Sequence, residues 1–281
     1  MGIRLLGIAL LVAYSAIAQS QSTGAPESQI PALQDELKKL AADAALLHTD
    51  LPGFACTETA VSEVIKKNKN NLKKDKVTER VHFVAGVRAQ RGEDGRLHES
   101  LTLTEVNGKP AFGRRFNPPM MVEGGFDQSL DFFLPERQTC FNFTLSEGRI
   151  DFVSQPGSFN LAACGEMGAP HGFALLDEAG SVSHVERQVP PELARQVHIA
   201  DFAASDIVPT ELGGTVYPLP AKIVAEVPKD GVVLHFEATY TACHLFKAVS
   251  TILPGAAPVL RPSGQEHPPG TPAAGDAPSH P

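Results

Sequence analysis

Val232, Leu234, Phe236, Ala238, Tyr240 and Ala242 alternate with His235, Glu237, Thr239 and Thr241. A period of two sustained this long belongs to a strand with one buried side, so the chain must build a sheet that has an apolar face to cover. The same period appears earlier. Val81, Phe83, Ala85, Val87 and Ala89 alternate with more polar residues, and Leu97, Leu101 and Leu103 do so beyond Gly92-Glu-Asp-Gly-Arg96. Both apolar sets share a face only if an odd-length, glycine-containing turn separates them, which sets His82 opposite Val106. Asn107-Gly108 is the next tight turn, and Glu147-Gly148, Ala179-Gly180 and Gly213-Gly214 punctuate the rest. These signals predict a meander of roughly eleven strands.

One long helix precedes the strands. Leu33, Leu37, Leu40, Ala41, Ala44 and Leu47 recur at the spacing of one helix face, with Pro31 in the first turn and Pro52 beyond the end. Phe126, Leu130, Phe133 and Leu134 also have helical spacing, which Pro135 is expected to stop, and Pro191 can open a short helix through Val197. The predicted class is mainly β, of the α+β kind: a long curved antiparallel sheet or incomplete β-barrel, with the N-terminal amphipathic helix packed on its apolar side. A closed barrel or a two-sheet sandwich satisfies the alternation equally well.

The order of elements from Gln34 to Phe246 resembles the LolA-like family of periplasmic lipoprotein carriers. The stretch Leu51-Pro52-Gly53-Phe54-Ala55-Cys56-Thr57 is similar to an opening found in uncharacterised exported bacterial proteins. The first resemblance implies an incomplete barrel closed by helices and a hydrophobic ligand or lipoprotein as cargo.

The two ends of the chain carry their own signals. Met1-Gly2-Ile3-Arg4, an apolar run from Leu5 to Ala13, and Ala16-Ile17-Ala18 form a secretory signal with a small-x-small cleavage site. That run is far short of the roughly 20 residues that cross a bilayer, and no later apolar stretch reaches that length. From Pro254 the chain holds 8 of its 23 prolines and almost no large apolar residue after Leu260. Such a composition cannot offset the entropy of ordering it. The expected organisation is a signal peptide over 1–18, a flexible lead-in over 19–30, a single β-rich domain over 31–253 and a disordered tail over 254–281. The product is exported and soluble, in the periplasm or outside the cell.

The formal charge of -8 opposes a nucleic-acid partner. Fifteen Phe and no Trp supply core filling but few platforms for stacking a sugar or a base. The four cysteines, Cys56, Cys140, Cys164 and Cys243, contain no close pair of the zinc or thioredoxin kind, and in an exported chain they read as disulfides. Three connectivities are open to four cysteines, and sequence does not choose among them. The preferred one joins Cys140 to Cys164 and Cys56 to Cys243, the latter closing the first strand onto the last. No cofactor and no metal site is expected.

Enzyme signatures are absent: there is no Gly-x-Ser-x-Gly elbow, His-Glu-x-x-His, phosphate loop or dinucleotide fingerprint. His235 with Glu237, and His184 with Glu186, share strand faces and could serve as acid-base pairs of a hydrolase, but alternation on an exposed face produces the same pattern. His244 has the parity of the apolar face. Lys66, Lys67, Lys69, Lys73, Lys74 and Lys76 crowd one connection of an otherwise acidic chain. The plain reading is a solvated hairpin loop; the functional one is contact with an anionic lipid or protein surface. Pro118-Pro119-Met120-Met121 and Gly124-Gly125 make a bulky segment suited to a lid over a groove or to an ordinary buried loop. The leading expectation is a non-enzymatic module that binds a lipid, lipoprotein or other hydrophobic ligand. The alternatives are a structural or adaptor protein of the cell envelope with an envelope protein as partner, and, third, a hydrolase.

Overall fold

The structure, a computed structural model, describes residues 29–68, 75–122, 125–158, 162–165 and 167–246. The signal and the Pro-rich tail lie outside the described residues, as do Lys69, Lys73, Lys74 and Gly124.

The helical stripe forms α1 (Gln29–Ala45) and runs on into one wider turn at Leu46–Asp50. Leu40, Ala44 and Leu47 are its buried contacts. Eleven strands follow: β1 (Phe54–Lys66), β2 (Lys76–Arg91), β3 (Leu97–Val106), β4 (Lys109–Pro110), β5 (Phe141–Ser146), β6 (Arg149–Ser154), β7 (His171–Leu176), β8 (Val182–Gln188), β9 (Phe202–Leu212), β10 (Thr215–Lys229) and β11 (Val232–Leu245). Every pairing is antiparallel, and one sheet holds all of them in the order β4-β3-β2-β1-β11-β10-β9-β8-β7-β6-β5. The sheet is open, which sets aside the closed barrel and the two-sheet sandwich.

This order has a steric consequence. The chain runs from β1 out to the edge at β4, then must reach the opposite edge at β5 before meandering back to lie against β1. Those edges are ten strand spacings apart, about 48 Å along a flat sheet. Residues 111–122 and 125–140 lie along that crossing, over the apolar face. They bury Phe126, Leu130, Phe132, Phe133 and Leu134 against it, and Phe126 meets Phe54 and Tyr240 edge-on at 5.0 and 4.7 Å between ring centres. The crossing segment supplies much of the cover; α1 packs on the same face, tied to it by Gln138 Nε2 donating to Leu37 O at 3.1 Å.

Pro135 opens a turn instead of stopping one. Asp131–Phe133 form a 3-10 turn and Pro135–Gln138 form α2, because proline suits the first turn of a helix, where its missing N–H costs nothing. The short α3 (Ala162–Gly165) follows β6, and α4 (Pro191–Val197) spans the residues predicted for it.

Two bulges shift the predicted registers. In the β2–β3 hairpin an extra residue beside Val84/Ala85 sets Phe83, not His82, opposite Val106. His82 N instead donates to Asn107 Oδ1 at 2.9 Å, and His98 pairs with Gln90, so the two histidines stay well apart. In β11 the backbone turns left-handed at Ala242, with φ 53°, and the β1 pairing jumps there. Ala242 and His244 are consequently exposed, contrary to their apparent parity, and Cys243 turns inward to bond Cys56. The second cystine joins Cys140 to Cys164.

Gly172 on β7 lies so close to β8 that a Cβ there would stand 2.0 Å from Glu186 O and 2.9 Å from Arg187 Cα. Gly172→Ala is therefore predicted to destabilise the fold by about 2 kcal/mol through forced separation of the two strands, measured as a lowered urea midpoint.

Candidate functional site

Between the crossing segment and strands β8–β10 the apolar face stays uncovered, leaving a cleft of about 1300 Å³. Its floor is set by strand parity. Val185 pairs with Ser205 and Ser205 with Ile223, while Arg187 pairs with Ala203 and Ala203 with Ala225. All six of these residues line the cleft. Cross-strand partners share a face, so two adjacent rows of side chains make the floor.

The facing wall is the bulky segment singled out in the sequence. Met120, Met121 and Val122 line it, and Met167 adds a third thioether. The segment is pinned: Ser62 Oγ donates to Met120 O at 2.8 Å, and Met120 N donates back to the same oxygen at 2.9 Å. Farther along, Gly125 passes so close over β10 that a Cβ there would meet Ile223 Cδ1 at 2.5 Å. Methionine suits such a wall because its unbranched, polarisable chain adapts to irregular apolar partners.

One rim of the cleft carries a charged cluster that sequence reasoning missed. Asp131 is buried beside Arg137 NH1 at 3.3 Å and His48 Nδ1 at 3.8 Å. Burial pushes the Asp131 carboxyl up to about 6, against the opposing pull of Arg137 and His48. Asp127 is raised by burial as well, and one oxygen of each of Asp127, Asp131 and Asp201 is buried with no hydrogen-bond partner among the described residues. These residues come from the helix end, the crossing segment and the β8–β9 connection, so no local motif joins them.

A second carboxyl lies beneath the crossing segment. Glu58 on β1 is 2% exposed, opposite Tyr240 on β11 and Ala85 on β2. Burial, reinforced by the neighbouring charge of Glu99, pushes it up to about 7. Its signal was in the sequence: Glu58 shares the inward parity of Cys56, Ala60 and Ser62.

The same-strand acid-base pairs weighed against plain surface alternation do not form. His235 Nδ1 meets Glu226 Oε1 at 3.1 Å, and Glu237 pairs with Lys222 at 2.9 Å. His184 Nδ1 meets Asp206 at 2.7 Å, directly across the β8–β9 pairing, in place of Glu186. All are cross-strand polar pairs on the face opposite the core. Lys66 and Lys76 face each other across the β1–β2 pairing, and Lys67 reaches Asp75 at 3.2 Å.

No family model and no curated protein matches the chain. Among solved structures it is similar to the crystal structure of a LolA superfamily protein from Nitrosomonas europaea, at 10% sequence identity and a TM-score of 0.29, over 76% of this chain and 94% of that one.

The raised carboxyls fix a pH dependence. Glu58 and Asp131 hold their protons to higher pH in the folded chain than in the unfolded one, so folding takes up protons between the two values. Their stabilising protonation is fully present at low pH and is lost as pH rises to about 7. Stability to urea should fall from pH 5 to pH 8, by roughly 3 kcal/mol from Glu58. Glu58→Gln should flatten that fall and exceed the parent at pH 8.

Proposed function

We propose that the chain is an exported, non-enzymatic binding module whose cleft takes the apolar chain of a lipid, lipoprotein or other hydrophobic ligand. The observation that carries this reading is the floor of Val185, Ile223 and Ala225 facing a wall of methionines across about 1300 Å³. A concave site with an apolar floor and convergent polar groups is the usual form of a small-molecule site; here the floor is aliphatic and the rim is charged. Two cystines support work in an oxidising compartment, and no helix among the described residues is long and apolar enough to cross a membrane.

A neutral naphthylamine probe should bind the native chain with enhanced fluorescence. Ser205→Phe, which fills the middle of the floor, should weaken that binding at least ten-fold without lowering the urea midpoint. Equal binding by the variant would remove the cleft as the site. Failure of any hydrophobic probe to bind would leave the packed adaptor of the cell envelope as the better reading.

The lysine-rich connection between β1 and β2 is proposed to hold the module against an anionic surface. Lys66, Lys67 and Lys76 each contribute about 1 kcal/mol near such a surface. Their joint replacement by Gln should weaken sedimentation with phosphatidylglycerol vesicles on the order of a hundred-fold at low salt. Unchanged sedimentation would return the loop to simple solvation.

A further inference from the structure

The cleft contains one cation unlike its neighbours. Arg137 has Asp131 as its counter-charge, Arg195 acts on Asp201, the exposed Arg96 acts on Asp94, and Arg91 donates to the carbonyls of Gly95, Leu47 and Leu51. Arg187 has NH1 donating to Ala200 O at 3.4 Å, and among the described residues no carboxylate pairs with it. Protein surrounds it closely enough that burial alone lowers its pKa to about 10. A guanidinium in these surroundings is costly unless an anion meets it.

The register shows what space its head group has. Along one cross-strand row, Phe152 on β6 pairs with Gly172 on β7, Gly172 with Arg187, Arg187 with Ala203, Ala203 with Ala225, and Ala225 with Phe236 on β11. The two rings at the ends are fully buried. Between them Arg187 is the one long side chain, flanked by a glycine and two alanines. A lysine or leucine at Ala203 or Ala225 would occupy the space beside the guanidinium, while Gly172 presses its backbone against β8 and adds no side chain to the row. Arg187, Ala203 and Ala225 all line the cleft, so that space opens into it.

We propose that Arg187 is the anion-binding residue of the cleft, taking the carboxylate or phosphate head of an amphiphile whose apolar chain lies along the aliphatic floor. This rests on the reading of the cleft as a hydrophobic-ligand site. One N–H is used on Ala200 O, which steadies the planar guanidinium and leaves its other donors for two oxygens of the head group. Asp201 lines the same cleft, but Arg195 offsets it, so the charge of Arg187 is not cancelled from that side. The chain's formal charge of -8 gives no general attraction for anions, which makes the local placement of this one cation decisive.

The test is displacement of the neutral naphthylamine probe from the full chain at pH 7.4 by dodecanol, dodecanoate and dodecyl phosphate, with inorganic phosphate as the free anion. The native chain should bind dodecanoate and dodecyl phosphate at least ten-fold more tightly than dodecanol. Arg187→Gln should abolish that preference while leaving dodecanol affinity unchanged, and Arg187→Lys should restore part of it. Both variants should unfold at the same or a higher urea concentration than the parent, since no internal ion pair is lost; a lower midpoint for both would assign Arg187 a structural role and overturn the proposal. Equal affinity of the native chain for alcohol and acid would overturn it while the hydrophobic cleft stands. Displacement by inorganic phosphate alone, with no effect of the chain-bearing anions, would also overturn it, assigning the site to a free ion. If none of the dodecyl compounds displaces the probe, the cleft reading itself fails and this inference with it.

Discussion

The pairing of β1 with β11 is the contact on which the rest depends. It joins the first strand to the last, and without it the order of the sheet separates into two meanders, β1–β4 and β5–β11. Ladder hydrogen bonds run along nearly the whole of β1, and the Cys56–Cys243 cystine spans the same pair with a sequence separation of 187. Closing so long a loop removes about 5 kcal/mol of entropy from the unfolded chain, compared with about 3 for the Cys140–Cys164 link. Loop-closure cost rises slowly with length, so bringing the ends together is not prohibitive. It does make the fold rich in non-local contacts, and such folds form slowly. A covalent bond across the most distant pairing holds the two meanders in one sheet after that search is complete.

From this pairing follows the crossing segment, and from the crossing segment follows the cleft. A sheet whose sequence-adjacent strands β4 and β5 lie at opposite edges requires a long connection between them, and its described residues, 111–122 and 125–140, lie across the apolar face. Five large apolar residues of that segment bury there, and where it passes over β1, β2 and β11 little of the face is left uncovered. Over β8–β10 the segment contributes methionines and Val122 held above small side chains, and the gap persists. The position of the cleft is therefore decided by where the connection lies and by residue size on three strands.

Much of the architecture was legible in the alternation. The leading helix, the helix at Pro191 and the Asn107-Gly108 turn stand where residue spacing placed them, the cystines follow the connectivity preferred among three that the sequence left open, and single-sheet order agrees with the count of strands. What alternation could not show were the bulges. A strict period of two assigns Ala242 and His244 to the core side, and one left-handed residue reverses the end of the strand. The same shift is what turns Cys243 toward Cys56. The site was less legible still. Asp131, His48 and Arg137 converge from separate elements, and nothing local links them. The cross-strand partners of His235 and His184 lie on neighbouring strands, at positions fixed only by register. Glu58 could have been found by counting two from Cys56.

Glu58 and Arg187 are the two groups that local reasoning about stability would remove. Each is an ionisable side chain on the inner face of a sheet otherwise built from Phe, Val, Ile and Ala, and neither is paired with an opposite charge among the described residues. Glu58 is buried and Arg187 partly so, and replacing an unpaired charge withdrawn from water by an aliphatic side chain of similar volume removes a desolvation cost. A chain whose only task was to hold eleven strands together would gain by both changes. Polar groups that disagree with the surrounding pattern mark places where something other than packing sets the residue. For Glu58 the disagreement lies under a covered part of the face, where it governs the response to pH. For Arg187 it lies in the open part, between small residues, where the proposed head group would meet its remaining donors.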